Sequence, residues 1–206
     1  SQGKLALIAK LGERSTPLVP LGARGVLDGE ELEVIGCMRR LCSFEGEKFV
    51  WGEYLLHGPR GYRWLSESGG HFCLLRSIPA GRVSALAPLK RLMLDGETYD
   101  HFQRSADVSS FDLQGEFYWQ IRPEDRALLD EYVAPPQIVS REQSGKETQW
   151  TWGRYLSGEE LWRSFKLQGE PPQPLGVAPC QPNPFKARAR AQGLQLIYAI
   201  TAVLLV

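Results

Sequence analysis

The chain has 206 residues, of which 43% are hydrophobic, 10% aromatic and 23% charged, a composition that excludes a disordered, collagen-like or disulfide-framework protein. Lys plus Arg number 24 and Asp plus Glu number 24, so the one-signed field of a nonspecific nucleic-acid binder is missing and no nucleic-acid partner is expected. A chain of this length buries a core without staples, and four scattered cysteines, Cys37, Cys42, Cys73 and Cys180, fit a reducing compartment.

Residues 1–17 read as a lead-in. They start with Ser1, and the apolar run 5–9 is too short for the hydrophobic part of a signal peptide. From residue 18 onward, turn dipeptides recur at Asp28-Gly29, Gly58-Pro59, Gly69-Gly70, Asp95-Gly96 and Ser144-Gly145, with alternating segments between them. This punctuation predicts a mainly antiparallel all-β body, divided into one lobe over 18–88 and a second over 89–170, each a small barrel or sandwich. Glu31-Leu32-Glu33-Val34 alternates, and so do Phe111, Leu113, Phe117, Trp119 and Ile121 against polar neighbours, which predicts a strand over 111–121. Residues 123–132 fit two readings, a helix opened by Pro123 or a strand behind a charged turn. Ser157-Gly158-Glu159-Glu160 is a capping box followed by Leu161, Trp162 and Phe165 at helical spacing, which predicts a helix over about 158–166. Six of the fourteen residues 171–184 are proline, the composition of an extended tether. A basic stretch with Lys186, Arg188 and Arg190 completes a linker to residue 192. The uncharged run 194–206 then reads as the start of a membrane helix interrupted by the end of the sequence, or else as a short buried helix. Positive residues before such a run place the body in the cytoplasm.

Short words recur. Leu27-Asp28-Gly29-Glu30 returns as Leu94-Asp95-Gly96-Glu97, 67 residues later, and Gly52-Glu53-Tyr54-Leu55 as Gly115-Glu116-Phe117-Tyr118, 63 later. Two echoes in order suggest related lobes, against coincidence of common turn words. A third, Trp51-Gly52-Glu53-Tyr54-Leu55 with Trp152-Gly153-Arg154-Tyr155-Leu156, cuts across that period. The second echo assigns the Gly-Tyr/Phe face to the core. Trp51, Glu53, Leu55, Glu116 and Tyr118 then share a second face, exposed or covered by the other lobe, which is the candidate binding surface.

Catalytic and metal chemistry have weaker support. Cys37, Cys42, His71 and Cys73 are the ligand types of a structural zinc site, but the paired CxxC spacing is absent, and buried thiols with a hydrogen-bonded histidine are the favoured reading. Glu53 and Glu116 would serve as acid and base if the lobes faced each other, but such glutamates more often bond arginine or backbone donors at a lobe interface, and that structural role is the favoured reading. His57, His71 and His101 sit in no nucleophile motif, and no phosphate-binding loop is present.

The segments WGEYLLHGPRGYRWLSESGGHF (51–72), GEFYW (115–119), DEYVAPPQIVSRE (130–142), WTWGRYLSGEELWRSF (150–165) and GVAPCQPNP (176–184) resemble the bacterial family catalogued as domain of unknown function 4178. The resemblance implies a β-rich body, often continuing into a membrane helix and sometimes preceded by a zinc ribbon. Phe72 and Cys180 depart from it, standing where tryptophan and asparagine are expected. It carries no catalytic residues. Together these readings predict a noncatalytic binding or scaffolding module at the bacterial inner membrane. The body faces the cytoplasm, the partner is a protein or small ligand, and no cofactor is expected. The alternatives are a hydrolase-like enzyme and a structural zinc-binding domain.

Overall fold

The computed structural model describes residues 14–44, 47–86, 90–122 and 125–182. Eleven strands form one sheet: β1 (Arg24–Leu27), β2 (Glu30–Phe44), β3 (Glu47–Gly58), β4 (Gly61–Ser68), β5 (His71–Ile78), β6 (Val83–Leu86), β7 (Arg91–Leu94), β8 (Glu97–Gly115), β9 (Ala127–Ala134), β10 (Gln137–Ser144) and β11 (Glu147–Leu156). The order is β1-β2-β3-β4-β5-β11-β10-β9-β8-β7-β6, and β2 also pairs with β8. Every pairing is antiparallel. The sheet therefore closes through β2, β3, β4, β5, β11, β10, β9 and β8, while β1 and β6–β7 extend beyond the ring.

The mainly antiparallel all-β expectation holds, but the strands of the two expected lobes share one sheet. β5 pairs with β11 from Phe72↔Leu156 to Ile78↔Trp150, and β2 pairs with β8 from Gly36↔Gly115 to Leu41↔Ser109. The first half alone would leave one edge of β5 and of the outer part of β2 unpaired, and the other half meets these edges with β11 and β8.

Local chemistry explains the hairpins. Asp28 and Gly29 have φ of 51° and 71°, and Asp95 and Gly96 have 52° and 84°, the left-handed pair that a two-residue hairpin turn requires. The first echo thus occupies equivalent places, with Leu27↔Glu30 and Leu94↔Glu97 in register. The second echo does not. Gly52–Leu55 lies inside β3, whereas β8 ends at Gly115 and residues 116–118 are outside the sheet. This also corrects the strand expected over 111–121. Gly115 turns at φ 82°, at a close approach to β2 where a Cβ would collide with the Ile35 carbonyl, so the chain leaves the strand path there despite the continuing alternation. Of the stretch 123–132, residues 123–124 lie outside the described residues, and 127–132 realise the strand reading, as part of β9.

Helix α1 (Gly158–Phe165) starts where the capping box puts it, with Ser157 Oγ accepting from the Glu160 amide at 3.1 Å. It stops at Lys166, which is left-handed. Leu161, Trp162 and Phe165 bury against Val19, Leu27, Leu32, Val34, Tyr54, Leu56, Leu65 and Phe72. A second cluster, Ile78, Leu92, Leu94, Tyr99, Tyr132 and Val139, lies toward β7.

The proline-rich segment is docked over its described part, 171–182. The Leu175 amide donates to the Gly69 carbonyl at 2.8 Å, and Cys180 is fully buried. The rest of the linker and the run 193–206 lie outside the described residues. Among those described, no helix is long and apolar enough to cross a membrane.

Candidate functional site

Closure of the ring gives alternate residues a lumen. Arg40 on β2 reaches Glu142 on β10, two strands separated in the ring by β8 and β9, so the pair meets across the interior. Registers Arg40↔Trp51, Met38↔Glu53, Leu55↔Trp64, Ser66↔Cys73 and Cys73↔Tyr155 extend this face round the wall. The opposite face carries Tyr54 and Leu56, buried in the outer cluster beneath α1. The Gly-Tyr face is therefore core, as expected, and the second face is covered by the other half.

A charged cluster occupies the lumen. Arg40 donates to Glu53 Oε2 at 3.3 Å and to Glu142 Oε1 at 3.1 Å and Oε2 at 3.3 Å, while Trp51 Nε1–H donates to Glu53 Oε1 at 2.9 Å. The Arg40 guanidinium also lies 5.9 Å from the Trp51 ring centre. Burial opposes its charge, but Glu53 and Glu142 outweigh burial and raise its pKa. Glu131 faces the same space and accepts from Gln103. Burial raises the Glu131 carboxyl and Glu53 adds to the effect, against the bond from Gln103. Arg40 Nε has no hydrogen-bond partner among the described residues. Charges buried this way are costly and are weak evidence for stability alone.

The expected binding residues fall into two environments. Trp51, Glu53 and Leu55 are lumenal, and Leu55 is completely buried. Glu116 and Tyr118 are exposed on the loop after β8, where the Glu116 amide donates to Ile35 O at 2.8 Å. That loop builds an aromatic cluster at the mouth of the barrel where β3 turns into β4. Tyr118 stacks on Tyr62 at 4.4 Å, Trp119 meets Trp64 edge-on at 5.3 Å and Phe117 at 5.4 Å, and His57 lies 5.2 Å from Tyr62. Three of these large rings remain open to solvent: Tyr62 at 41%, Tyr118 at 48% and Trp119 at 36%. A shallow groove lined by Arg24, Glu31, Glu33, His57 and Pro59 adjoins them through His57. Sequence reading singled out Tyr118 but missed Tyr62 and Trp119, whose adjacency depends on a loop folding back onto a distant strand.

The candidate metal ligands are dispersed. Cys37 packs in the outer cluster and Cys42 with Val108 and Ala127 in the third apolar cluster. The His71 ring nitrogens contact Tyr155 Oη at 3.0 Å and the Leu175 carbonyl at 3.2 Å, and Cys73 Sγ lies 2.9 Å from Cys180 Sγ. Among the described residues, no group of three or more His, Cys, Asp or Glu is placed to hold a metal.

No curated protein and no solved structure matches the chain. A family model described as Domain of unknown function (DUF4178) matches residues 20–158, from just before β1 to the start of α1. A match over this much of the 206 residues shows that the chain belongs to that family.

Proposed function

We propose that the domain is a noncatalytic binding or scaffolding module whose contact surface is the aromatic mouth, and that its partner is a protein. The observation that carries this reading is the mutually packed set Tyr62, Tyr118, Trp64 and Trp119, three of whose rings stay open to solvent. Exposed aromatic patches mark interaction sites, because Tyr and Trp offer large rigid area at small entropic cost with a polar atom for partners. Behind the mouth, the completely buried Leu55 pairs with Trp64 in register.

The same reading places the domain at the inner membrane, with its body in the cytoplasm and segment 193–206 as anchor. Support comes from the uncharged run preceded by Lys186, Arg188 and Arg190. The docked proline-rich segment meets the barrel at Gly69, beyond the end of β4, while Tyr62 lies at its start. Eight residues of strand separate the two ends, about 25 Å at 3.3 Å per residue. The mouth then points away from the membrane.

The test is crosslinking capture from native membranes with the full-length protein beside a Tyr118→Ala/Trp119→Ala variant, after circular dichroism shows that the variant is folded. A protein captured by wild type and lost at least tenfold from the variant supports the reading, as expected for two central aromatic anchors. Equal capture by both, or saturable binding of only a small molecule, refutes it.

A further inference from the structure

We propose that Cys73 and Cys180 form a reversible disulfide that locks the proline-rich segment onto the end of the barrel opposite the aromatic mouth. Their sulfurs are 2.9 Å apart, across a sequence separation that only the fold closes. Cys73 points into the lumen from β5, level with Ser66 and Tyr155. Cys180 belongs to a short turn in which the Gln181 amide donates to the Ala178 carbonyl at 3.1 Å. Cys37 and Cys42 lie in two other apolar clusters, so Cys73 and Cys180 form the close thiol pair among the described residues.

The way the segment is held makes this pair its anchor. Of residues 171–182, Cys180 is the buried one, while Leu175 and Val177 are 75% and 87% exposed. Its other ties to the body are few. Leu175 N–H donates to Gly69 O and Leu175 O contacts the His71 ring, while Pro171 lies against Gly158 and Gln173 against Gly70. With Leu175 and Val177 in solvent and Pro171, Pro172, Ala178 and Pro179 half-buried, local opening of the segment would expose both sulfurs. When docked, the pair resists attack. The hydrogen bond with Cys180, together with burial, raises the Cys73 thiol well above its usual range, and a thiol is a poor nucleophile.

Oxidation by a small disulfide balances as a two-electron exchange. One cysteine thiolate, formed by loss of its proton in the opened state, attacks the small disulfide, breaks its S–S bond and expels one small thiolate. The second cysteine loses its proton and attacks the mixed disulfide, forming the Cys73–Cys180 bond and expelling the other. The two protons end on the two small thiols. Excess dithiol reverses the exchange, and this reversibility suits a chain whose cysteines match a reducing compartment.

The full 206-residue chain is equilibrated with oxidised glutathione, alkylated, and digested with trypsin without reduction. Cys73 then lies in peptide 64–76 and Cys180 in peptide 167–186. The expected result is these two peptides joined, 2 Da below the sum of their reduced masses, and separated again by dithiothreitol. Limited proteolysis within 171–182 should slow at least fivefold on oxidation, recover on reduction, and show no response in Cys180→Ala or Cys73→Ser. Stable glutathione adducts on either cysteine without the joined peptide, a preferred link to Cys37 or Cys42, or a link that leaves proteolysis unchanged would each overturn the proposal.

Discussion

Arg40→Met tests whether the lumenal ion cluster is organised around a single cation. The substitution keeps most of the side-chain volume and removes the guanidinium that donates three bonds of 3.1–3.3 Å to Glu53 and Glu142. The Arg40 side chain is 7% exposed, Glu53 18% and Glu142 36%. Glu142 can therefore turn partly to water, while among the described residues Glu53 keeps the Trp51 indole as its side-chain donor. Breaking one partner of a buried pair costs about 3–5 kcal/mol, and the openness of Glu142 favours the lower end, about 3 kcal/mol. For a domain of this size that corresponds to a drop in Tm of about 6–12 °C. Urea unfolding followed by tryptophan fluorescence reads the loss directly. Glu53→Gln in the Arg40→Met background should recover part of the loss, because a neutral amide no longer needs the cation. A loss below about 1 kcal/mol, or no recovery in the double variant, would refute this account of the lumen.

Two further outcomes follow from the geometry. Asp130 has a fully buried side chain bonded to Arg104 at 2.6 Å and Arg141 at 2.5 Å. Burial opposes ionisation, but the two arginines outweigh it and lower the pKa from 3.8. Because the folded value lies below the unfolded one, the stabilisation is complete above the unfolded pKa and disappears as pH falls through the folded value. Asp130→Asn should therefore lower Tm at neutral pH and flatten the acid limb of Tm against pH; parallel limbs for variant and wild type would contradict the ion-pair assignment. Gly115→Ala places a side chain at φ 82° and against the Ile35 carbonyl, with an expected cost of more than about 2 kcal/mol in urea unfolding. Gly145→Ala, at φ 57° with open space around it, is the control and should cost about 1 kcal/mol.

What the sequence determined by itself is local. Asp28-Gly29 and Asp95-Gly96 specify hairpins because their turns need left-handed backbone within two residues. Ser157 and Glu160 specify a helix start because the cap satisfies an amide three residues away. Alternation likewise shows that residues 53 and 55 share a face opposite 54 and 56. It does not show what each face meets. In an open sheet the face of Trp51 and Glu53 would be a surface; in a closed ring it is a lumen, and closure depends on β2 meeting β8 and β5 meeting β11. The partners that define the chemistry are correspondingly remote in sequence. Arg40 and Glu142 are 102 residues apart, and Cys73 and Cys180 are 107 apart. Alternation also misled at Phe117 and Trp119, because the left-handed turn at Gly115 takes the chain out of the sheet while the apolar pattern runs on. Periodicity records side-chain polarity, whereas the course of the strand, the inside of the ring and the company of each charge are set by backbone pairing between distant segments, and only the tertiary structure decided those.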